Sequence, residues 1–222
     1  MKTKRLFEIL IFLIAFSVVS VCISLPVAIP VMERQKIAFL IDAGHGLPDG
    51  GAVAVDGTKE QALNLSIAEK LFEKFPDGTA LLTRRDEQGI YTSGMSIREK
   101  KISDMKERIR IADEHPSAMI VSVHMNTFPN SSVHGFQVFF KKDDTSSKAL
   151  AETIQQHVNE NLQPDHPKTA KPIAANLYLF SKTKNPAILV ECGFMTNQND
   201  LAKLKDETYQ QKIAQILYDV LK

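Results

Sequence analysis

Short apolar runs alternate along this chain with longer segments in which apolar residues recur every three or four positions. Residues 37–42 form the first run and stop at glycines, which reads as a buried strand feeding a loop. The loop 45–60 is rich in Gly, Pro and Asp, residues that supply tight turns. Leu63, Ile67, Leu71 and Phe75 lie four apart and predict a helix over 61–75. Pro76-Asp77-Gly78 is turn chemistry, and 79–83 reads as a second strand. Ile97, Ile102, Met105, Ile109 and Ala112 mark a charged amphipathic helix over 96–114. Further strands are predicted at 118–123, 135–140, 177–180 and 187–190. Helices are predicted at 145–162, with Leu150, Ile154 and Val158 inward, and at 198–204 and 207–221. Residues 165–175 are the longest expected loop. Strands alternating with helices predict one α/β domain whose mainly parallel central sheet is flanked by helices on both faces.

The N-terminus breaks this pattern. Lys2, Lys4 and Arg5 precede a stretch, 6–32, that is apolar apart from Glu8 near its start and a few small polar residues. Residues 9–32 carry no charge and are long enough to cross a hydrocarbon core as a helix. Pro26 and Pro30 end the helical part near Leu25. Residues 1–32 are therefore expected to be a signal peptide or signal anchor in contact with the membrane. The absence of a small-x-small cleavage site favours the anchor. The basic flank keeps the N-terminus cytoplasmic and exports residues 33–222. Without 1–32, 24 basic side chains face 25 acidic ones, and no basic stripe asks for a nucleic-acid partner. Cys22 lies in the apolar run, so a disulfide with Cys192 is not expected. Strand alternation would turn Cys192 away from Glu191 as a small buried thiol.

Three apolar runs deliver titratable side chains where such sheets place their ligands, at the carboxyl ends of strands. His45 follows the first run, His124 ends 118–123, and Glu191 ends 187–190; Glu60 closes the loop after His45. Taken singly, His45 reads as a histidine satisfied by backbone, and Glu60 as an ordinary helix-start carboxylate. His124 is harder to dismiss because an apolar strand delivers it directly. A carboxylate at the end of a buried run must be paired, hydrogen-bonded or functional, and this applies to Glu191. Two imidazoles and one carboxylate can hold a zinc ion with one position open, and a second carboxylate can then move protons. His134 is a weaker candidate for touching substrate. Asn126 divides evenly between loop capping and orienting ligand or substrate, and Arg84 is favoured as a structural ion pair. His115, His157 and His166 read as helix-end, helix-surface and loop residues.

The motifs around these positions resemble one family. They are Asp42-Ala43-Gly44-His45-Gly46 with Pro48-Asp49-Gly50-Gly51-Ala52, Lys59-Glu60 with Asn64-Leu65, and Leu82-Thr83-Arg84. Ser122-Val123-His124-Met125-Asn126 and the run from Pro186 to Phe194 complete the set. In this order, from about Ile37 to the C-terminus, the chain is similar to the zinc-dependent N-acetylmuramoyl-L-alanine amidases, which cut cell-wall peptidoglycan. The resemblance implies His45, Glu60 and His124 as zinc ligands and Glu191 as catalytic acid/base. The implied reaction is attack of a zinc-bound water on the amide between N-acetylmuramic acid and L-alanine. A compact domain on a membrane segment is similar to the germination-specific amidases, some of which need a lipoprotein partner. That similarity implies an extracytoplasmic place, membrane-anchored or secreted, including the space around a developing spore. One departure is His166-Pro167-Lys168, where many members carry an arginine, which bears on substrate contacts from that loop. The competing readings are a zinc peptidase acting within the stem peptide and a catalytically silent wall-binding module.

Overall fold

Parallel pairing of three apolar runs frames the molecule. In the computed structural model, which describes residues 36–222, β1 (Phe39–Ala43) lies between β2 (Ala80–Leu82) and β3 (Met119–Asn126). β3 pairs in turn with β6 (Ala187–Phe194), and all three pairings are parallel. β4 (Gln137–Phe140) runs antiparallel to β6, and the short β5 (Lys171–Pro172) pairs parallel with β4. The sheet is therefore mainly parallel, in the order β2-β1-β3-β6-β4-β5. The expected membrane segment over 1–32 lies outside the described residues. Among those residues no helix is long and apolar enough to cross a membrane.

Strand alternation sorts the side chains onto two faces. Ile41, Ala43, Val121, Val123, Ile188 and Val190 pack into one apolar layer. Over them lie α1 (Glu60–Phe72), α3 (Thr145–Leu162), α5 (Gln198–Lys205) and α6 (Glu207–Leu221), which contribute Ile67, Ile154, Leu204 and Leu217. The opposite face presents Leu40, Ile120 and Leu189 to α2 (Ile97–Glu114) and α4 (Tyr178–Lys182) through Ala112, Leu179 and Phe180. Helix starts follow their local chemistry. Ser96 and Glu99 form a reciprocal capping box on α2, and Asp144, Asn197 and Asp206 cap α3, α5 and α6.

β3 and β6 run on to Asn126 and Phe194, past their expected ends at 123 and 190, and three further segments differ from the sequence pattern. Residues 177–180, read as a strand, instead enter the helix α4, whose Leu179 and Phe180 insert against the α2 layer. A four-residue apolar run carries no periodicity, so strand and buried helical turn look alike in sequence. The expected loop 165–175 contains β5, an exposed pair that includes a proline and so gives no hydrophobic signal. The helix expected to reach Phe75 ends at Phe72, and Lys74 and Phe75 close tighter i→i−3 bonds to Leu71 and Phe72.

Candidate metal and catalytic site

On β1, β3 and β6 the positions that face α2 change character toward the carboxyl ends. Leu40, Ile120 and Leu189 give way to Asp42, Ser122, His124 and Glu191. His124 and Glu191 are partners in the β3–β6 register, so their Cα atoms lie side by side. Two residues past β1, His45 adopts a left-handed backbone with φ of 58°, a conformation uncommon outside glycine that must be held by its surroundings. Glu60 opens α1, where the helix dipole favours a carboxylate.

These elements bring His45, Glu60 and His124 together, with one donor atom from each lying within 4.8 Å of the others. His45 Nε2 is 3.2 Å from Glu60 Oε2, and His124 Nδ1 is 3.0 Å from Glu60 Oε1. The two rings meet edge to face at 5.0 Å. The Glu60 carboxylate is fixed by the amides of Ala52 and Met125 at 2.9 and 3.2 Å and by the Asn64 carboxamide at 3.3 Å. His45 Nδ1 is bonded to Asp49 at 3.0 Å, the carboxylate–histidine arrangement that orients metal-ligating imidazoles. Close approach depends on two glycines. A Cβ on Gly44 would sit 2.2 Å from His124 Nε2, and one on Gly51 would sit 2.5 Å from Glu60 Oε2.

Beneath the cluster lies a buried polar network. Arg108 of α2 donates to Asp42, to Asp104 at 2.6 Å, to the Ala43 carbonyl at 2.9 Å and to the His45 carbonyl at 2.6 Å. Asp42 also accepts from Ser122 at 2.6 Å and Thr83 at 3.0 Å. Arg84 donates to the carbonyls of Ala43, Gly44, Asp86 and Gln61. Its role here is structural, as expected, but its partners are carbonyls rather than the anticipated carboxylate. Two buried guanidiniums thus tie down the successive carbonyls of Ala43, Gly44 and His45.

Charge is held unusually in this cleft. Burial disfavours the His45 imidazolium, but hydrogen bonds to Asp49 and Glu60 outweigh it and raise its pKa to about 9. Burial would likewise push Glu60 up, yet the two histidines hold it well below the ordinary carboxylate range. Burial would raise Asp42 too, and Arg108 followed by the Ser122 hydrogen bond outweighs that and lowers it. Glu191 behaves oppositely: burial pushes its carboxyl up to about 7, and the nearby histidines only partly oppose this. Its Oε2 is buried without a hydrogen-bond partner. The cluster therefore stabilises positive charge at its centre, and its nitrogen and oxygen donors suit zinc. Burial, by contrast, biases Glu191 toward its protonated form.

The four predicted residues line one cleft of about 490 Å³, together with Asp49, Lys101, Asn126, Tyr178 and others. Asn126 lines this cleft, and its side-chain oxygen accepts from the Thr127 amide at 2.8 Å, the loop-capping role. His134 does not line the cleft; its ring stacks on His166 at 4.6 Å. Lys168, in the loop that departs from the family pattern, donates to the carbonyls of His134 and Gly135. Cys192 is a free, buried thiol on the apolar face, away from Glu191. Arg108 escaped the sequence reading, whereas Asp49 and Asn64 stood in its motifs without a role assigned to them. Asp49 also gave a local signal, four residues after a histidine in a turn-rich loop.

A mainly parallel sheet carrying this cleft at its strand ends is the frame of a cell-wall amidase, a hydrolase. Residues 39–222 match the family model described as N-acetylmuramoyl-L-alanine amidase, and the chain belongs to that family. It is 29% identical over 188 residues to the germination-specific N-acetylmuramoyl-L-alanine amidase of Bacillus subtilis (strain 168), covering 82% of this chain and 77% of that protein. Its fold is similar to that of the CwlD amidase from Clostridioides difficile, solved in complex with the GerS lipoprotein. There the TM-score is 0.77 at 35% identity, over 82% of this chain and 95% of that one. An N-acetylmuramoyl-L-alanine amidase from Clostridium difficile 630 gives 0.69 at 26% identity, over 84% and 95%.

Proposed function

We propose that this amidase works with a zinc ion held by His45, Glu60 and His124, and that Glu191 is its catalytic acid/base. The observation that carries this reading is the Glu191 carboxyl. An unpartnered buried oxygen disfavours folding by about 1–3 kcal/mol, and it sits in the same cleft as the two histidines and Glu60. When bound, zinc would activate a water and polarise the scissile carbonyl. Glu191 takes a proton from the attacking water and returns it to the leaving amino group of L-alanine. Burial raises this carboxyl above the ordinary carboxylate range, which favours a group that can hold the proton between the two transfers. Asp49 fixes the His45 ring, while Arg108 and Arg84 hold the backbone on which His45 stands.

The germination-specific relative and the amidase–lipoprotein complex support work outside the cytoplasm in wall or spore-cortex remodelling, with peptidoglycan as substrate. In this reading residues 1–32 export the domain as a signal peptide or anchor, and a lipoprotein is the activating partner. The test is incubation of the full chain and zinc with purified vegetative wall and spore-cortex peptidoglycan. The expected products are new N-terminal L-alanine and muramic acid freed of peptide, both abolished by a chelator. Fragments that keep L-alanine on muramic acid would point instead to a peptidase. Zinc binding without any cleavage, with or without a candidate lipoprotein, would point to a silent wall-binding module.

A further inference from the structure

Beside the catalytic cleft lies a second hollow of about 310 Å³, lined by Arg98, Lys101, Ile102, Met105 and Tyr178. It adjoins the cleft, because Lys101, Met105 and Tyr178 line both. Its walls are unusual for a surface depression. Ile102 and Tyr178 are 45% and 41% exposed, and two cations one helical turn apart stand beside them. Arg98 is exposed and enters no ion pair among the described residues. Lys101 Nζ reaches Asp49 Oδ2 at 2.8 Å, and the same oxygen binds His45 Nδ1 at 3.0 Å. The ammonium therefore stands two hydrogen bonds from the His45 ring. Asn126, Thr127 and Asn176, also on the cleft wall, are polar and uncharged.

The scissile amide joins two unlike arms, a neutral glycan and an anionic peptide. In that peptide the residue after L-alanine is a glutamate linked through its side-chain carboxyl, whose α-carboxyl is either free or amidated. A group one residue beyond L-alanine falls within roughly two residue lengths, about 7 Å, of the scissile bond. We propose that the hollow is the subsite for the peptide arm, and that Lys101, supported by Arg98, reads the free carboxylate on the residue after L-alanine. This inference rests on the amidase reading of the cleft. The charge of the hollow matches the peptide and has nothing to pair with on the glycan. Ile102, Met105 and Tyr178 supply apolar contact for the methylenes of the same glutamate.

Two muropeptides that differ only in a free or an amidated α-carboxyl test the proposal. Turnover is read on the zinc-loaded full chain, and Kd is read on Glu191→Gln, whose cleavage should be slow enough to measure binding. The free acid is expected to be favoured about tenfold in both kcat/KM and Kd, the size of one charge-assisted contact on a partly exposed site. Lys101→Met should bring both ratios to near one whatever the absolute rates, Arg98→Met should lower them part of the way, and Lys101→Arg should restore them. Equal treatment of the two ligands by the native chain, or a preference that survives Lys101→Met, overturns the proposal. Failure to cleave either ligand, with and without a candidate lipoprotein, would sink the amidase reading instead, and the Kd ratio on Glu191→Gln still decides the subsite.

Discussion

The two faces of the sheet are built from the same strands, yet their alternate positions do different things. On the face under α1, α3 and α6, β1, β3 and β6 read Ile41, Ala43, Val121, Val123, Ile188 and Val190, apolar from end to end. On the α2 face the same strands begin with Leu40, Ile120 and Leu189 and finish with Asp42, Ser122, His124 and Glu191. One face is devoted to burial, which contributes about 1.5–3 kcal/mol for each large apolar side chain. The other gives up burial at its carboxyl end. There it accumulates a left-handed histidine, two buried arginines and a carboxyl oxygen with no partner. Stability and chemistry are thus segregated by strand alternation, and each substitution should report which side it belongs to.

The sharpest break should come from the cation that holds the polar face together. Arg108→Met leaves Asp42 and Asp104 buried without their counter-charge, and breaking a buried pair from one side costs about 3–5 kcal/mol. Urea unfolding should show that loss. It should be accompanied by weaker ion binding, because the His45 carbonyl loses its tie. On the apolar face, Ile188→Ala should destabilise by about 3 kcal/mol through lost contact and cavity, while turnover per folded molecule stays at the native value. Equal damage to turnover would show that the two faces are not separable.

A smaller effect of opposite sign is expected at Glu191. Its carboxyl titrates at about 7 in the fold, against an ordinary value of 4.5. With a chelator present, the folded state keeps the proton over that interval and the unfolded chain does not. The penalty is therefore absent below pH 4.5, grows as pH rises from 4.5 to 7, and is complete above 7. Glu191→Gln should then stabilise the protein by about 1–3 kcal/mol at pH 8 and by almost nothing at pH 4. Denaturant curves at the two pH values check this. A gain of the same size at both would show that the carboxyl is not strained by its ionisation.

The same division explains what could be read from the sequence. The apolar face was legible because alternation and helical spacing announce it, as with Leu63, Ile67 and Leu71 on α1. His124 and Glu191 were legible because charge at the end of a buried run needs a reason. Arg108 was not, since α2 carries several other basic residues and only the fold shows which one turns inward. α4 and β5 were misread for a related reason: each owes its form to neighbours rather than to its own pattern. Leu179 and Phe180 fill space against α2, and Lys171–Pro172 owes its strand form to backbone pairing with β4 at the sheet edge.

The central claim is that the two carboxylates of the cleft have separate duties, Glu60 holding the ion and Glu191 moving the proton. Zinc content by elemental analysis, measured beside turnover on peptidoglycan, tests it directly in Glu60→Gln and Glu191→Gln. Glu191→Gln should keep its zinc and its fold and lose turnover about a hundredfold or more. Glu60→Gln should lose zinc, since it weakens one of only three protein ligands. Zinc lost from Glu191→Gln but retained by Glu60→Gln would contradict the account and exchange the two roles.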